Sequence, residues 1–253
     1  MSSEIIDSIF IGVNCVWLDL DDTLIDFHTN SRTALRLLYD LERLERFYPT
    51  PSAWIEAYEI HNHSLWDRYS KAEISQEFLR MDRFVHPLRQ TWSGSQRDLE
   101  DFSRRLDPLY LDLLAQQKKL VDGAMELLEA LRAAGFNTGI LSNGFTEVQH
   151  KKLRMTGLDK MIDYVVLSDD IGVNKPDVRL YRHAMQRATD PVADHHLMIG
   201  DNPSTDIAGA SAAGWRSILL SASSDDDNEM ESNQKSARIY NLHELITPIL
   251  SSK

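Results

Sequence analysis

Residues 16–25 read V-W-L-D-L-D-D-T-L-I, three aspartates set against the end of an apolar run. Asp19 and Asp21 lie two apart, so on an extended backbone both side chains leave the same face. A turn explains one aspartate or two, because Asp caps helices and tolerates tight turns. Two carboxylates converging at a strand end point further, to a site that binds a cation or handles a proton. Four more groups of this kind sit where other strands should stop: Ser142 in L-S-N-G, Lys175 in N-K-P, and Asp201 and Asp206 in G-D-N-P-S-T-D. Each alone has a plain reading, Ser142 as a turn residue, Lys175 as a surface charge, Asp201 as a cap. Their coincidence at four strand ends makes chance a poor account, since open parallel sheets bind ligands at the carboxyl ends of their strands.

The elements that must position these residues follow from periodicity. An apolar run at 13–19 predicts the first strand. From residue 28 to 115 apolar residues recur at helical spacing. Ala34, Leu35, Leu38, Leu41 and Leu44 form the stripe of a first helix capped by Thr29 or Asn30. Further helices are predicted over 52–68, 75–85 and 95–115, the last with Leu99, Phe102, Leu106, Leu109 and Leu113 on its apolar face. After residue 120 helix and strand alternate: helices over 122–134, 147–156, 176–188 and 204–213, and strands over 137–142, 163–167, 196–200 and 217–220, the last of the sheet. A terminal helix covers 242–250, and the polar stretch 221–236 reads as a mobile loop. Short apolar strands separated by helices predict an α/β class, a Rossmann-like, mostly parallel sheet between helices. The all-helical stretch is then an insertion, with residues 1–25 and 116–253 as the core and 26–115 as an inserted helical domain.

Composition narrows the function classes. Among 253 residues, 27 Lys and Arg against 39 Asp and Glu give a net charge of −12, which argues against non-specific binding to nucleic acid or anionic membranes. The single cysteine, Cys15, lies inside the first apolar run and reads as a buried structural thiol. No Lys or Arg precedes position 32, unlike the basic start of a signal peptide, and the first apolar stretch is too short to span a bilayer. A soluble, cytoplasmic protein is expected.

The set D-x-D-x-T, a strand-terminal Ser, Lys-Pro and G-D-x-x-x-x-D resembles the four motifs of the haloacid dehalogenase superfamily, and the helical insertion after the first motif resembles that superfamily's cap. Within it, L-S-N-G-F-T-E-V-Q-H-K-K-L-R-M-T-G-L and L-W-D-R-Y-S-K-A-E-I-S are similar to a 5′-nucleotidase-like branch. The resemblance implies a Mg²⁺-dependent phosphatase acting on a small phosphorylated metabolite, a nucleoside 5′-monophosphate being one such monoester. It makes Asp19 the nucleophile that forms an aspartyl-phosphate, and Asp21 the group that protonates the leaving oxygen and then activates water. Mg²⁺ would be held by Asp19, the Asp21 main-chain carbonyl, Asp201 and Asp206, the last directly or through water. Lys175 would neutralise charge on Asp19 and the phosphate, and Ser142 would hydrogen-bond a phosphoryl oxygen, with backbone amides around Asn143 and Gly144 completing the cradle. Asp22 would shape the turn, and Thr23 would orient Asp21 or support the loop.

The dehalogenases of the superfamily lack the second aspartate, so Asp21 argues against C–halogen cleavage. Three alternatives stay open: a phosphosugar mutase, whose first motif typically has Gly where this chain has Asp22; a phosphoglycolate-type phosphatase; and a catalytically silent binding or regulatory protein, which would usually show decay at a motif position. His61, His63, Trp66, Arg68 and Tyr69 are candidates for reading the leaving group. Trp66, however, reads more simply as core of the insertion, and the His61/His63 pair lacks further metal-ligand partners. His195 and His196 read as packing and surface positions, and Asp225–Asp227 as a solvated acidic loop.

Overall fold

The computed structural model describes Ile6, residues 8–221 and residues 235–252. Among these residues, strands Cys15–Leu18 (β1), Asn137–Ser142 (β2), Tyr164–Leu167 (β3), His196–Gly200 (β4), Arg216–Leu220 (β5) and Ser236–Ile239 (β6) form one sheet. Its order is β3-β2-β1-β4-β5-β6 and every pairing is parallel. The chain therefore winds outward from β1 in both directions. In such a sheet the crevice where the order reverses lies at the carboxyl end of β1. Leu18 is level with Ile140 of β2 and Ile199 of β4, so Asp19 follows next to Leu141 and Gly200.

All four residues of β1 are buried, because helices cover both faces of the sheet. Val16 and Leu18 pack with Ile140, Ile199 and Ile218 against Leu127, Leu128 and Leu131 of Ala124–Ala133 (α5). Cys15 and Trp17 face the other way, with Leu141, Met198 and Trp215 against Leu180, Tyr181 and Ala184 of Val178–Arg187 (α7). Cys15 is buried as expected, and burial, with Asp163 and Asp190 adding to it, pushes its thiol up. The indole of Trp17 donates to Nδ1 of buried His196 (3.0 Å), leaving Nε2 to donate to the Asp190 carbonyl (3.0 Å). His196 is thus a packing residue, and half-buried His195 pairs with Asp190.

This unit also holds Thr146–Thr156 (α6), Ala208–Ala213 (α8) and Ile246–Ser251 (α9). Two expectations are corrected here. The sheet does not end at residue 220: Ser236–Ile239 adds β6, a strand whose polar first residue sat inside the predicted loop. The helix expected over 204–213 opens as a π-turn, Pro203–Ile207, before α8. The acidic stretch Asp225–Asp227 lies outside the described residues.

Phe27–Lys118 forms the second unit, and Met1–Asp26 with Lys119–Lys253 the first. The second holds Phe27–Leu41 (α1), Pro51–Ser70 (α2), Gln76–Leu88 (α3) and Gln96–Ala115 (α4). Thr50, Ser75 and Ser95 cap α2, α3 and α4 by accepting from the amides of Ala53, Phe78 and Asp98. α1 starts at Phe27, before the predicted caps Thr29 and Asn30, and Leu41 at its end is exposed while Leu44 is buried in the next turn. The apolar face of α4 runs Leu99, Phe102, Leu106, then Tyr110, Leu111 and Leu114. Leu109 and Leu113 are only half-buried, because a helix turns 3.6 rather than 3.5 residues per turn and the stripe drifts. The aromatic core is Trp54, Tyr58, Phe84 and Tyr110, around the buried Arg83–Asp107 pair. Trp66 is not part of it: it is half-buried, edge-on to Tyr69. No helix among the described residues is long and apolar enough to cross a membrane.

Candidate functional site

The carboxyl ends of β1, β2 and β4 bring Asp19, Ser142 and Asp201 together, and the segment after β3 delivers Lys175. The Lys175 ammonium is buried and its three donors are accounted for: Asp19 Oδ1 (2.7 Å), Asp206 Oδ1 (2.6 Å) and the Leu141 carbonyl (2.8 Å). Burial alone would pull it down, but Asp19 and Asp206 outweigh burial and hold it above the ordinary lysine range. Asn143 locks the Lys175 backbone from both sides, its amide donating to the carbonyl (3.0 Å) and its oxygen accepting from the N–H (2.7 Å). The Asn143 side chain is therefore a brace for Lys175.

One carboxylate oxygen each from Asp19, Asp201 and Asp206 lies within 4.8 Å of the others. Fully ionised, three carboxylates against one ammonium would leave two negative charges uncompensated. Burial raises the Asp19 carboxyl well above its usual range; Lys175 opposes the rise, and Asp206 and Asp201 add to it. Asp201 is pushed up to about 7 by burial, then by Asp206 and Asp22. The donor set suits a small divalent cation with oxygen ligands. Asp206 has both oxygens engaged, one by Lys175 and one by the Asn202 amide (3.1 Å). It reaches this position because Gly200 has no side chain: a Cβ there would stand 2.3 Å from Asp206 Oδ2.

Thr23 is fully buried and donates to Asp201 Oδ1 (3.1 Å), not to Asp21. The turn accounts for this. Asp22 adopts a left-handed φ of 57° and its amide bonds Ile25 (2.8 Å), which swings Thr23 toward β4. Asp22 is the turn residue expected.

Asp21 stands apart from the three converging carboxylates. Its Oδ1 accepts from Lys152 (2.6 Å) and its Oδ2 from Gln149 (2.9 Å). The Gln149 amide also donates to Ser142 Oγ (2.8 Å), as does the Gly144 N–H (3.2 Å). Both contacts are donors to Ser142, so neither uses its own hydroxyl hydrogen. Gly144 is required for this, since a Cβ would come 2.2 Å from Gln149 Nε2. Gln149 and Lys152 lie three apart on the buried face of α6, beside Val148 and Leu153. Sequence reasoning missed both as site residues. The available signal was two long polar side chains on the face of a helix that the apolar residues turn inward.

This arrangement coincides with a match to the haloacid dehalogenase-like hydrolase family over residues 13–214. The chain is a haloacid dehalogenase-like hydrolase. The motif resemblance and the α/β fold expected from it both hold. Among relatives of this hydrolase, YfnB of Bacillus subtilis, a HAD-hydrolase, is 29% identical over 196 residues, covering 78% of this chain and 79% of the relative. The pyrimidine 5′-nucleotidase YjjG of Escherichia coli is 28% identical over 207 residues (82% and 85%). The pyrimidine 5′-nucleotidase PynA of Streptococcus pneumoniae is 30% identical over 200 residues (79% and 80%). The solved structure of YfnB bound to magnesium superposes with a TM-score of 0.79 at 26% identity, covering 94% of this chain and 98% of that one.

Proposed function

We propose that this hydrolase is a phosphatase that cleaves small phosphate monoesters, with a nucleoside 5′-monophosphate as the substrate class. The observation that carries the reading is the division of two carboxylates two residues apart: Asp19 on Lys175 among the acidic cluster, Asp21 on Lys152 and Gln149 outside it. Paired carboxyl groups in different environments suit one group to attack and the other to carry a proton.

Asp19 attacks phosphorus and the bond to the leaving oxygen breaks, while Asp21 in its acid form gives that oxygen its proton. Asp21, now a carboxylate, takes a proton from water as the water oxygen attacks the same phosphorus. The bond to Asp19 breaks, and inorganic phosphate leaves. Ser142 and Lys175 steady the phosphoryl oxygens through these displacements. Asp19 and Asp201 each keep an oxygen outside the bonds described above, so they would hold Mg²⁺ directly, with the Asp21 carbonyl. Asp206, engaged at both oxygens, would act through water and by fixing Lys175. The ion, when bound, offsets negative charge where the phosphoryl group is transferred. The helical unit Phe27–Lys118 would serve as the cap that screens the reaction from water.

Relatives named as nucleotidases support the substrate class. A relative named phosphoserine phosphatase, from Thermus thermophilus and 30% identical over 220 residues, favours a second reading, a phosphatase of other small monoesters. Hydrolysis of an aryl phosphate with Mg²⁺ and with EDTA tests the reaction: turnover that needs Mg²⁺ supports it, and equal rates would overturn the metal assignment. A screen of nucleoside monophosphates against sugar phosphates and phosphoglycolate tests the substrate. A peak at nucleotides is expected, and a flat profile would favour the second reading.

A further inference from the structure

The helical unit contains a cluster of titratable groups that the phosphatase reading does not use. His61 lies on α2; Asp82 and His86 lie one turn apart on α3, and thus on one face of that helix. His61 Nε2 stands 2.8 Å from Asp82 Oδ2, and the His61 and His86 rings stack with centroids 3.8 Å apart and planes 9° apart. One nitrogen of each histidine and one Asp82 oxygen lie within 4.8 Å of one another. The sequence expectation that His61 lacks ligand partners is therefore corrected: its partners come from the next helix, twenty-one and twenty-five positions on.

Two imidazole nitrogens and a carboxylate oxygen are the donor set of zinc sites that keep one position open. His61 and Asp82 are mostly shielded, their side chains 17% and 14% exposed, so they form a fixed base. His86 is exposed and free to turn its ring out of the stack and aim a lone pair at an ion shared with the other two. Bond lengths of about 2.0–2.2 Å for zinc to N and O ask the three donors to draw in from their present spacing. The His61–Asp82 contact needs the least change, the ion taking the place of the shared proton.

We propose that His61, Asp82 and His86 bind a transition-metal ion of the Zn²⁺ class and thereby clamp α2 to α3. Imidazole donors select such ions over Mg²⁺, which demands oxygen ligands. The site is thus distinct in chemistry as well as in residues from the Asp19–Asp201–Asp206 cluster.

The test uses the full chain, stripped with a chelator and returned to millimolar Mg²⁺ so that the carboxylate cluster is occupied. Zn²⁺ is then titrated in competition with a chromophoric chelator, and Co²⁺ is added separately to read nitrogen ligation from its visible absorption. One equivalent of Zn²⁺ is expected, with a rise in melting temperature by linkage. His86→Ala, at an exposed position, and His61→Gln should each weaken Zn²⁺ binding on the order of tenfold or more and alter the Co²⁺ spectrum. Asp201→Asn should leave both unchanged, and circular dichroism checks that every variant is folded. Absence of Zn²⁺ binding in excess Mg²⁺, or binding equal in wild type and both histidine variants, would overturn the proposal. Loss in Asp201→Asn alone would do the same, by assigning the ion to the carboxylates.

Discussion

Lys152 Nζ lies 2.6 Å from Asp21 Oδ1, while Gln149 holds the other oxygen of the same carboxylate. Both Asp21 oxygens therefore accept, which fixes the group as a base in this arrangement. That is the form needed to activate water, and opposite to the form needed to protonate a leaving group. In the proposed reaction Asp21 therefore changes partners within each turnover, and α6 supplies the groups it returns to.

Lys152→Met should lower kcat about tenfold or more, a fraction of the 10²–10⁴ that acid–base catalysis commonly supplies, with KM little moved. Lys152→Arg, which restores the charge, should recover part of the loss. Steady-state kinetics on an alkyl phosphate, whose leaving group needs a proton, checks this. A change confined to KM would assign Lys152 to substrate binding instead.

The acidic cluster predicts a pH dependence of stability. The Asp201 carboxyl is pushed up to about 7 in the folded chain, above the ordinary aspartate value of about 3.9 in the unfolded one. Between those values the folded state binds the extra proton, so stability falls as pH rises across the window. The contribution is fully present below the lower value and lost on passing the upper. Metal-free protein should accordingly melt at lower temperature at about pH 8 than at about pH 5.5, with Asp201→Asn narrowing the gap. Added Mg²⁺ should raise the melting temperature more at the higher pH, where it does not compete with that proton. Thermal melts at the two pH values, with and without Mg²⁺, read each term.

Gly200→Ala should cost about 1–3 kcal/mol, as inserting a methyl group into a filled site typically does. The added carbon would stand 2.3 Å from Asp206 Oδ2, and Asp206 is fully buried and held by Lys175 and the Asn202 amide. Urea denaturation gives the stability change. A parallel Mg²⁺ titration should show weakened binding, because displacement of Asp206 disturbs Lys175. A variant as stable as wild type, with unchanged Mg²⁺ affinity, would contradict this packing.

The sequence made the strand ends legible because each carries its own punctuation: an apolar run, then Asp, Ser or Gly-Asp. Alternation of helix and strand then placed those ends on one edge without any knowledge of strand order. Gln149 and Lys152 were not legible in the same way. Their role depends on which face of α6 meets the sheet and on β2 pairing beside β1, and neither fact is local. β6 was hidden because its four residues, S-A-R-I, follow a long polar stretch and are too few for their alternation to stand out. Thr23 reads in the sequence as orienting Asp21 or supporting the loop, and its bond to Asp201 was not legible because it depends on the left-handed turn at Asp22. The His61–Asp82–His86 cluster needs two helices in register, which no single periodicity reveals.

In the proposed reaction Asp19 takes the phosphoryl group while Asp21 moves the protons. An aryl phosphate separates the two, since its leaving phenolate needs no proton. In Asp21→Asn the first displacement should still run and the second should lack its base, so a phosphoenzyme should accumulate. Quenching that variant after one turnover, reducing it with borohydride and sequencing its peptides by mass spectrometry locates the acyl phosphate. Residue 19 should be reduced to the alcohol in most of the enzyme. Label at another residue, or none while phenolate is released in a burst, would contradict it.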